Sequence, residues 1–350
     1  MGAIKCLNRY EKGVVSTLYI CFKFADGNVN AFFENYFESG LHNREIEKVA
    51  QEGARNHGLL NIGLEDFFNI SLKAPSANEQ TKIANFLTAV DEKIQHLTQK
   101  ADLLAQYKKG VMQQIFSQEL RFKDDEGGEF PEWAFIDGGD VFNSVTNKNH
   151  NSDLSILAIT QEFGAIPREL IEYQISVTEK SVESYKVVAI GDFIISLRSF
   201  QGGIEYSKYK GICSPAYIIL RPKLKIADDF YKFYLKTEAY IGSMNANLEG
   251  IRDGKMVSYK YFSEIRLLYP CIKEQTKIAY FLTAIDDKIT LTQSQLAAVK
   301  QYKQGLLQQM FVWSNGYHPI RTCSWRRLNQ ATAKHGIRPC ADWRWSSHVS

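Results

Sequence analysis

Arginine and glutamine can each place two parallel hydrogen bonds on a base edge, arginine on guanine and glutamine on adenine. A loop that holds both is therefore a candidate for reading DNA. The stretch Arg198-Ser199-Phe200-Gln201-Gly202-Gly203 has this composition, and Tyr206, Lys208, Tyr209 and Lys210 follow it. Arg198, Ser199 and Gln201 are the candidate reading residues. Lys208 and Lys210 suit phosphate contacts, and the glycine pair lets backbone come close to a ligand. An ordinary basic hairpin loop has the same composition, so both readings stand at this point. A second basic turn, Arg252-Asp253-Gly254-Lys255, adds Arg252 and Lys255 as DNA-binding candidates. It has an echo in Arg55-Asn56-His57-Gly58, and a plain turn before a strand is its other reading.

Catalytic chemistry has no comparable candidates. The sequence lacks a Walker-type phosphate loop, a glycine-rich loop for a methyl-donor nucleotide and an Asn/Asp-Pro-Pro-Tyr motif. It shows no convincing metal-binding nuclease constellation. His42, His57, His96 and His150 are isolated in the sequence, and Cys323, His335, Cys340 and His348 lack zinc-finger spacing. The expectation is a protein without catalytic residues, metal or cofactor. The six cysteines form no C-x-x-C pair and read as reduced thiols of a cytoplasmic protein. No apolar run reaches the roughly 18 residues a membrane helix needs, and the N-terminus has no signal-peptide stretch.

The charge balance places any nucleic-acid contact in local patches. The chain has 42 Lys and Arg against 39 Asp and Glu, a formal charge of +3. Residues 313–350 hold six of those bases and only one acid, Asp342. The first 312 residues therefore carry 36 bases and 38 acids.

The elements that position these loops announce themselves by repetition. EQTKIANFLTAVDEKI at 79–94 returns as EQTKIAYFLTAIDDKI at 274–289, with 13 of 16 positions identical and no gap. QYKKGVMQQIF at 106–116 returns as QYKQGLLQQMF at 301–311. A period of 195 residues is a duplicated domain-sized module rather than a solenoid. Upstream, GVVSTLYICFKF at 13–24 parallels GICSPAYIILRP at 211–222. The first copy has nothing that corresponds to about 130–200, and reads as truncated.

Each repeat carries apolar residues in alternating steps of four and three. In the first these are Ile83, Leu87, Val90, Ile94, Leu97, Ala101, Leu104, Val111 and Ile115. In the second they are Ile278, Leu282, Ile285, Ile289, Leu296, Val299, Leu306 and Met310. That is a heptad seam. Lys108 and Lys303 interrupt it, with Gly110 and Gly305 two residues later, and are expected to weaken it. A helix of about 38 residues is roughly 57 Å long and cannot bury its stripe in one domain of this size. Two such helices packed antiparallel satisfy each other and form a ruler between two domains. Between 130 and 270, strands are expected at 187–197 and 211–222 and a helix at 228–245, giving a mixed α/β domain.

The string running Pro75, Glu79, Gln80, Lys82, Ile83, Ala84, Leu87, Asp91, Lys93, Ile94 occurs again as Pro270, Glu274, Gln275, Lys277, Ile278, Ala279, Leu282, Asp286, Lys288, Ile289. It resembles the spacer regions of specificity subunits of type I restriction–modification systems. RFKDDEGGEFPEW at 121–133 and Gly191-Asp192 before an apolar run resemble further features of that family. The resemblance covers about 1–312. It implies an α+β fold class, with mixed α/β target-recognition domains joined by long antiparallel coiled-coil spacer helices. Residues 1–75 are then the C-terminal half of a first target-recognition domain, 76–122 its spacer, 123–270 a second such domain and 271–312 its spacer. Residues 313–350 are an atypical basic tail, expected to be disordered. The resemblance further implies double-stranded DNA, methyltransferase subunits and an ATP-dependent restriction subunit as partners. Gln80, Phe86, Gln275 and Phe281 are the candidate partner-binding residues, because the a/d seam alone does not require this repeated start. A coiled-coil interaction protein, or a silent cassette without DNA recognition, is the alternative. The first domain is expected not to read a half-site alone, and its strand at 17–24 to have a bare edge.

Overall fold

The computed structural model describes residues 4–7, 12–16, 19–24, 29–52, 60–70, 72, 74–150, 153–171, 182–246, 257–311, 326–327 and 337–340. Helix and sheet are mixed, and two helices dominate by length, Ala77–Phe116 and Ile272–Met310. The chain forms two compact units, one of residues 1–100 with 292–350 and one of residues 101–291.

In the second unit, the central sheet is antiparallel. Phe193–Ile195 lies between Glu205–Tyr206 and Ile218–Pro222, and Phe142–Val145 pairs with the far side of Ile218–Pro222. Three two-stranded pairs surround it: Leu157–Thr160 with Gly164–Pro167, Lys186–Val188 with Gly211–Cys213, and Ala134–Asp137 with Arg266–Tyr269. The strand expected at 187–197 is thus two strands in different sheets. Gly191, at φ +92°, makes the turn between them. The Asp192 carboxylate fixes that turn by accepting from the Ala189 N–H at 2.7 Å, while Arg221 donates to both its oxygens at 2.7 Å. The 211–222 strand is likewise split by a turn in which the Tyr217 N–H donates to the Ser214 carbonyl. The expected helix at 228–245 breaks at 235–237 into Asp228–Tyr234 and Glu238–Ala246.

Gly203 joins the candidate reading loop to this framework. Its φ is +81°, and a Cβ there would lie 2.2 Å from the Leu235 carbonyl oxygen. The Gly203→Ala protein should lose about 2 kcal/mol or more of stability. Chemical denaturation checks this, and an unchanged midpoint would show that the loop relaxes freely.

Within each unit the long helices run antiparallel. In the first, Ile83, Ala84 and Leu87 share a core with Leu307 and Phe311. Phe32 and Tyr36 complete it, their rings 5.4 and 5.7 Å from Phe311. In the second, Val111, Ile115 and Phe116 share a core with Ile278, Ala279, Leu282 and Ile285. The heptad stripe is covered as the spacing predicts at Ile83, Leu87, Leu97, Val111, Ile115, Ile278, Leu282 and Ile285, but at the end of the second helix Leu307 and Phe311 are buried while the expected Leu306 and Met310 are half-buried.

The seam lysines do something the spacing does not predict. Lys303 forms ion pairs with Asp91 at 2.8 Å and with Glu38 at 2.7 Å. In the other unit Lys108 pairs with Asp286 at 2.6 Å. Asp91 and Asp286 are the aspartates of the repeated string, each on the opposite long helix, and Glu38 ends the short helix Asn30–Glu38. The lysines thereby fix the register of the helix pair instead of simply weakening it. Both helices continue through Gly110 and Gly305.

The first unit also corrects two expectations. Gly13–Ser16 pairs antiparallel with Ile337–Cys340, and Phe22–Lys23 with Arg326–Arg327. The edge at 17–24 expected to be bare therefore has a strand beside it at Phe22–Lys23. Two stretches of the tail, expected to be disordered, are strands. The backbone N–H and C=O groups of a lone edge provide the physical reason, since they bind another extended segment.

Candidate nucleic-acid interface

The loop after Phe193–Ile195 is held by its own side chains. The Ser196 N–H donates to the Ser199 hydroxyl at 2.8 Å, and Asn245 Nδ2 donates to the Phe200 carbonyl at 2.7 Å. A short helix, Ser199–Gly202, results. Ser199 is 1 % exposed. That burial corrects its candidacy as a DNA contact, since its hydroxyl is spent on the turn. Arg198 and Gln201 are exposed on the same turn. Packing behind them is dense, with Gly202 against the Gln161 side chain and the Lys236 ammonium donating to the Gln161 carbonyl at 2.7 Å. Lys236 also pairs at 2.6 Å with the buried Glu205, whose carboxyl is pushed up by burial against the pull of that lysine.

Lys208 and Lys210 are exposed too, but they follow the neighbouring strand Glu205–Tyr206, beside the other end of Phe193–Ile195. The Ser207 N–H donates to the Asp192 carbonyl, one residue before Phe193. Ile195 pairs with Ile218 at the opposite end, next to the Arg198 turn. The strand separating the two groups spans about 10 Å. The sequence candidates therefore form two exposed groups, one of Arg198 and Gln201 and one of Lys208 and Lys210. Arg252 and Lys255 lie outside the described residues.

Sequence reasoning missed a cationic group beside Arg198. Lys186 donates from Nζ to the Tyr217 carbonyl at 2.7 Å. Lys148 follows Asn147, whose carbonyl accepts from the Val187 N–H at 2.7 Å. Arg168 is anchored through its backbone N–H to the Ile156 carbonyl, in a segment bridged to Ile212. Burial pushes the Tyr217 hydroxyl pKa up, against the electrostatic effect of Arg168 and Arg198. The Lys186 ammonium is pushed down by burial, and the like charge of Lys148 adds to this while Cys213 opposes it. These residues lie up to 69 positions apart, so no local pattern announces them.

Two of the four partner-binding candidates are corrected by burial. Gln80 is 2 % and Gln275 0 % exposed. Gln80 accepts from the Val29 N–H at 3.0 Å and donates to the Pro75 carbonyl at 2.9 Å. Gln275 accepts from the Ala227 N–H at 3.0 Å and donates to the Pro270 carbonyl at 2.8 Å. Val29 and Ala227 each precede a short helix, Asn30–Glu38 and Asp228–Tyr234. The glutamine is thus the lock between each long helix and its globular module. Phe86 is 44 % exposed and remains available to a partner. Phe281 is half-buried, its ring 5.4 Å from that of Phe122.

Among the described residues no cluster of His, Cys, Asp or Glu could hold a metal ion. Cys6, Cys213 and Cys271 are free thiols, and burial raises the Cys213 thiol to about 12. No described helix is long and apolar enough to cross a membrane.

Residues 131–301 match the family model of the type I restriction modification DNA specificity domain. The chain is 25 % identical over 297 residues to the putative type I restriction enzyme MjaX specificity subunit of Methanocaldococcus jannaschii, covering 80 % of this chain and 67 % of that protein. It is 24 % identical over 282 residues to the type I restriction enzyme MjaVIII specificity subunit of the same organism, covering 75 % and 66 %. The chain thus spans about two thirds of the length of these relatives. Among solved structures it is similar to a type I restriction–modification system S subunit from M. genitalium. That match has a TM-score of 0.49 and 17 % identity, and covers 83 % of this chain and 75 % of that one.

Proposed function

We propose, from the match of residues 131–301 to the family model of the type I restriction modification DNA specificity domain, that this chain is the DNA-reading subunit of a type I restriction–modification complex. It recognises double-stranded DNA and brings methyltransferase subunits and an ATP-dependent restriction subunit to the site. Its own role is recognition without catalysis. The observation that carries this reading is that the family match falls on the antiparallel sheet whose turn presents Arg198 and Gln201 to solvent.

Roles divide by position. Arg198 and Gln201 read base edges, and Lys208 and Lys210 hold phosphates about one strand length away. The first domain is not expected to read a half-site alone, so a second chain supplies the other reader and the target has two parts. Phe86, exposed on the first long helix, faces a methyltransferase subunit.

The test is to express the chain with a type I methyltransferase subunit in cells that lack other specificity subunits, and to map methylated bases across the genome. One new two-part methylated motif is expected. It should lose definition in one part when Arg198 is replaced by alanine, at a cost of about 1–3 kcal/mol for that contact. A methylation map unchanged by the chain would contradict the proposal.

A further inference from the structure

Four cations from four separate segments meet around Tyr217 in the second unit. Lys186 is bound to its carbonyl at 2.7 Å. Lys148 lies next to the residue that accepts from the Val187 N–H. Arg168 enters from the hairpin Leu157–Pro167, whose first strand is bridged to the Gly211–Cys213 strand through Ile156 and Ile212. Arg198 stands on the turn after Ile195, which pairs with Ile218. The first 312 residues of the chain are slightly acidic in sum, so this concentration of like charge is local. Like charges gathered in one place raise the energy of the empty state, and a polyanion lowers it.

We infer that Lys148, Arg168 and Lys186 form a phosphate grip on the DNA backbone that seats Arg198 against its base. This deepens the proposed function and rests on it. The grip binds a duplex of any sequence, because phosphates carry no sequence information, while Arg198 supplies the discrimination. Tyr217 is the platform: its carbonyl orients the Lys186 ammonium, and the residue is half-buried. Lys148 is exposed and therefore able to follow the backbone.

The experiment uses the full chain with its methyltransferase partner and a duplex of random sequence of about 40 base pairs, roughly four helical turns. Binding is measured as a function of salt for the unsubstituted protein, Lys148→Gln, the Lys148→Gln/Arg168→Gln pair, and Lys260→Gln. Lys260 is exposed on the short helix Tyr259–Ser263 and serves as a control of equal charge change. Each lost phosphate contact should reduce the slope of log K against log salt by about 0.9. Lys148→Gln should therefore reduce the slope by about 0.9 and the pair by about 1.8, with Lys260→Gln unchanged. Because Lys148 is exposed, its single variant stays informative even if the Arg168 change unfolds the protein. An unchanged slope in Lys148→Gln, or an equal fall in Lys260→Gln, would overturn the grip while leaving DNA binding itself standing. Absence of measurable binding by the unsubstituted protein overturns the proposed function and the grip together.

Discussion

Replacing Glu274 by alanine should cost about 3 kcal/mol of stability, whereas the same change at Glu79, its counterpart in the first repeat, should stay within about 0.5 kcal/mol. The two residues stand at the same place in the repeated string but in different surroundings. Glu274 is 0 % exposed. It receives Arg121 Nε and Nη2 at 3.0 Å and Trp133 Nε1 at 2.8 Å. Alanine would leave an indole N–H without its acceptor and a guanidinium without its counter-charge. Breaking a buried pair from one side costs more than the pair contributes in sum, because the surviving charge stays desolvated. Arg121 keeps carbonyl partners at Phe130 and Pro131, which holds the cost near the lower end of the usual range. Glu79 is only half-buried, and its carboxylate has no hydrogen bond or ion pair among the described residues. Denaturation midpoints of the two variants, compared side by side, check the asymmetry. Equal losses would mean that the string itself, and not the Arg121–Trp133 clamp, carries the energy.

The second large effect concerns Gln275. Its leucine variant should lose roughly 2–4 kcal/mol, because one part-buried and one buried backbone group lose their partners at about 1–3 kcal/mol each. Those groups are the Ala227 N–H and the Pro270 carbonyl. Gln80→Leu should show a loss of similar size, since its bonds to the Val29 N–H and the Pro75 carbonyl are buried to the same degree. The readout that separates this account from a docking role is partner affinity. Protein that remains folded at low temperature should bind the methyltransferase subunit as before. A variant of normal thermal stability that fails to assemble would return the glutamines to the docking surface.

The long helices were legible because a sustained heptad has few structural solutions, and the buried stripe follows Ile83, Leu87 and Leu97 in one copy and Ile278, Leu282 and Ile285 in the other. The role of the interrupting lysines was not, because the partners of Lys303 lie 212 and 265 positions away and no helical spacing relates them. Recurrence of Glu-Gln-Thr-Lys-Ile-Ala beyond the needs of the seam suggested a docking surface. A repeated lock inside the chain leaves the same trace, and Gln80 and Gln275 are such locks. Arg198 and Gln201 are candidates by residue type alone, and the fold keeps them exposed. Ser199 shares the loop but points inward, a distinction that composition cannot make. Lys148, Arg168 and Lys186 required the strand pairing of Lys186–Val188 with Gly211–Cys213 before they became neighbours of Tyr217.

Sequence-dependent DNA recognition by this chain is tested most directly by selection from a pool of randomised duplexes, using the full chain with its methyltransferase partner and sequencing the bound fraction. The account predicts enrichment of one motif at a preference of at least about a thousandfold over random duplex. It also predicts that Arg198→Ala and Gln201→Ala each relax a position in that motif, while Ser199→Ala leaves the base preferences unchanged. A bound fraction with no sequence preference, from protein that is folded and assembled with its partner, would contradict it.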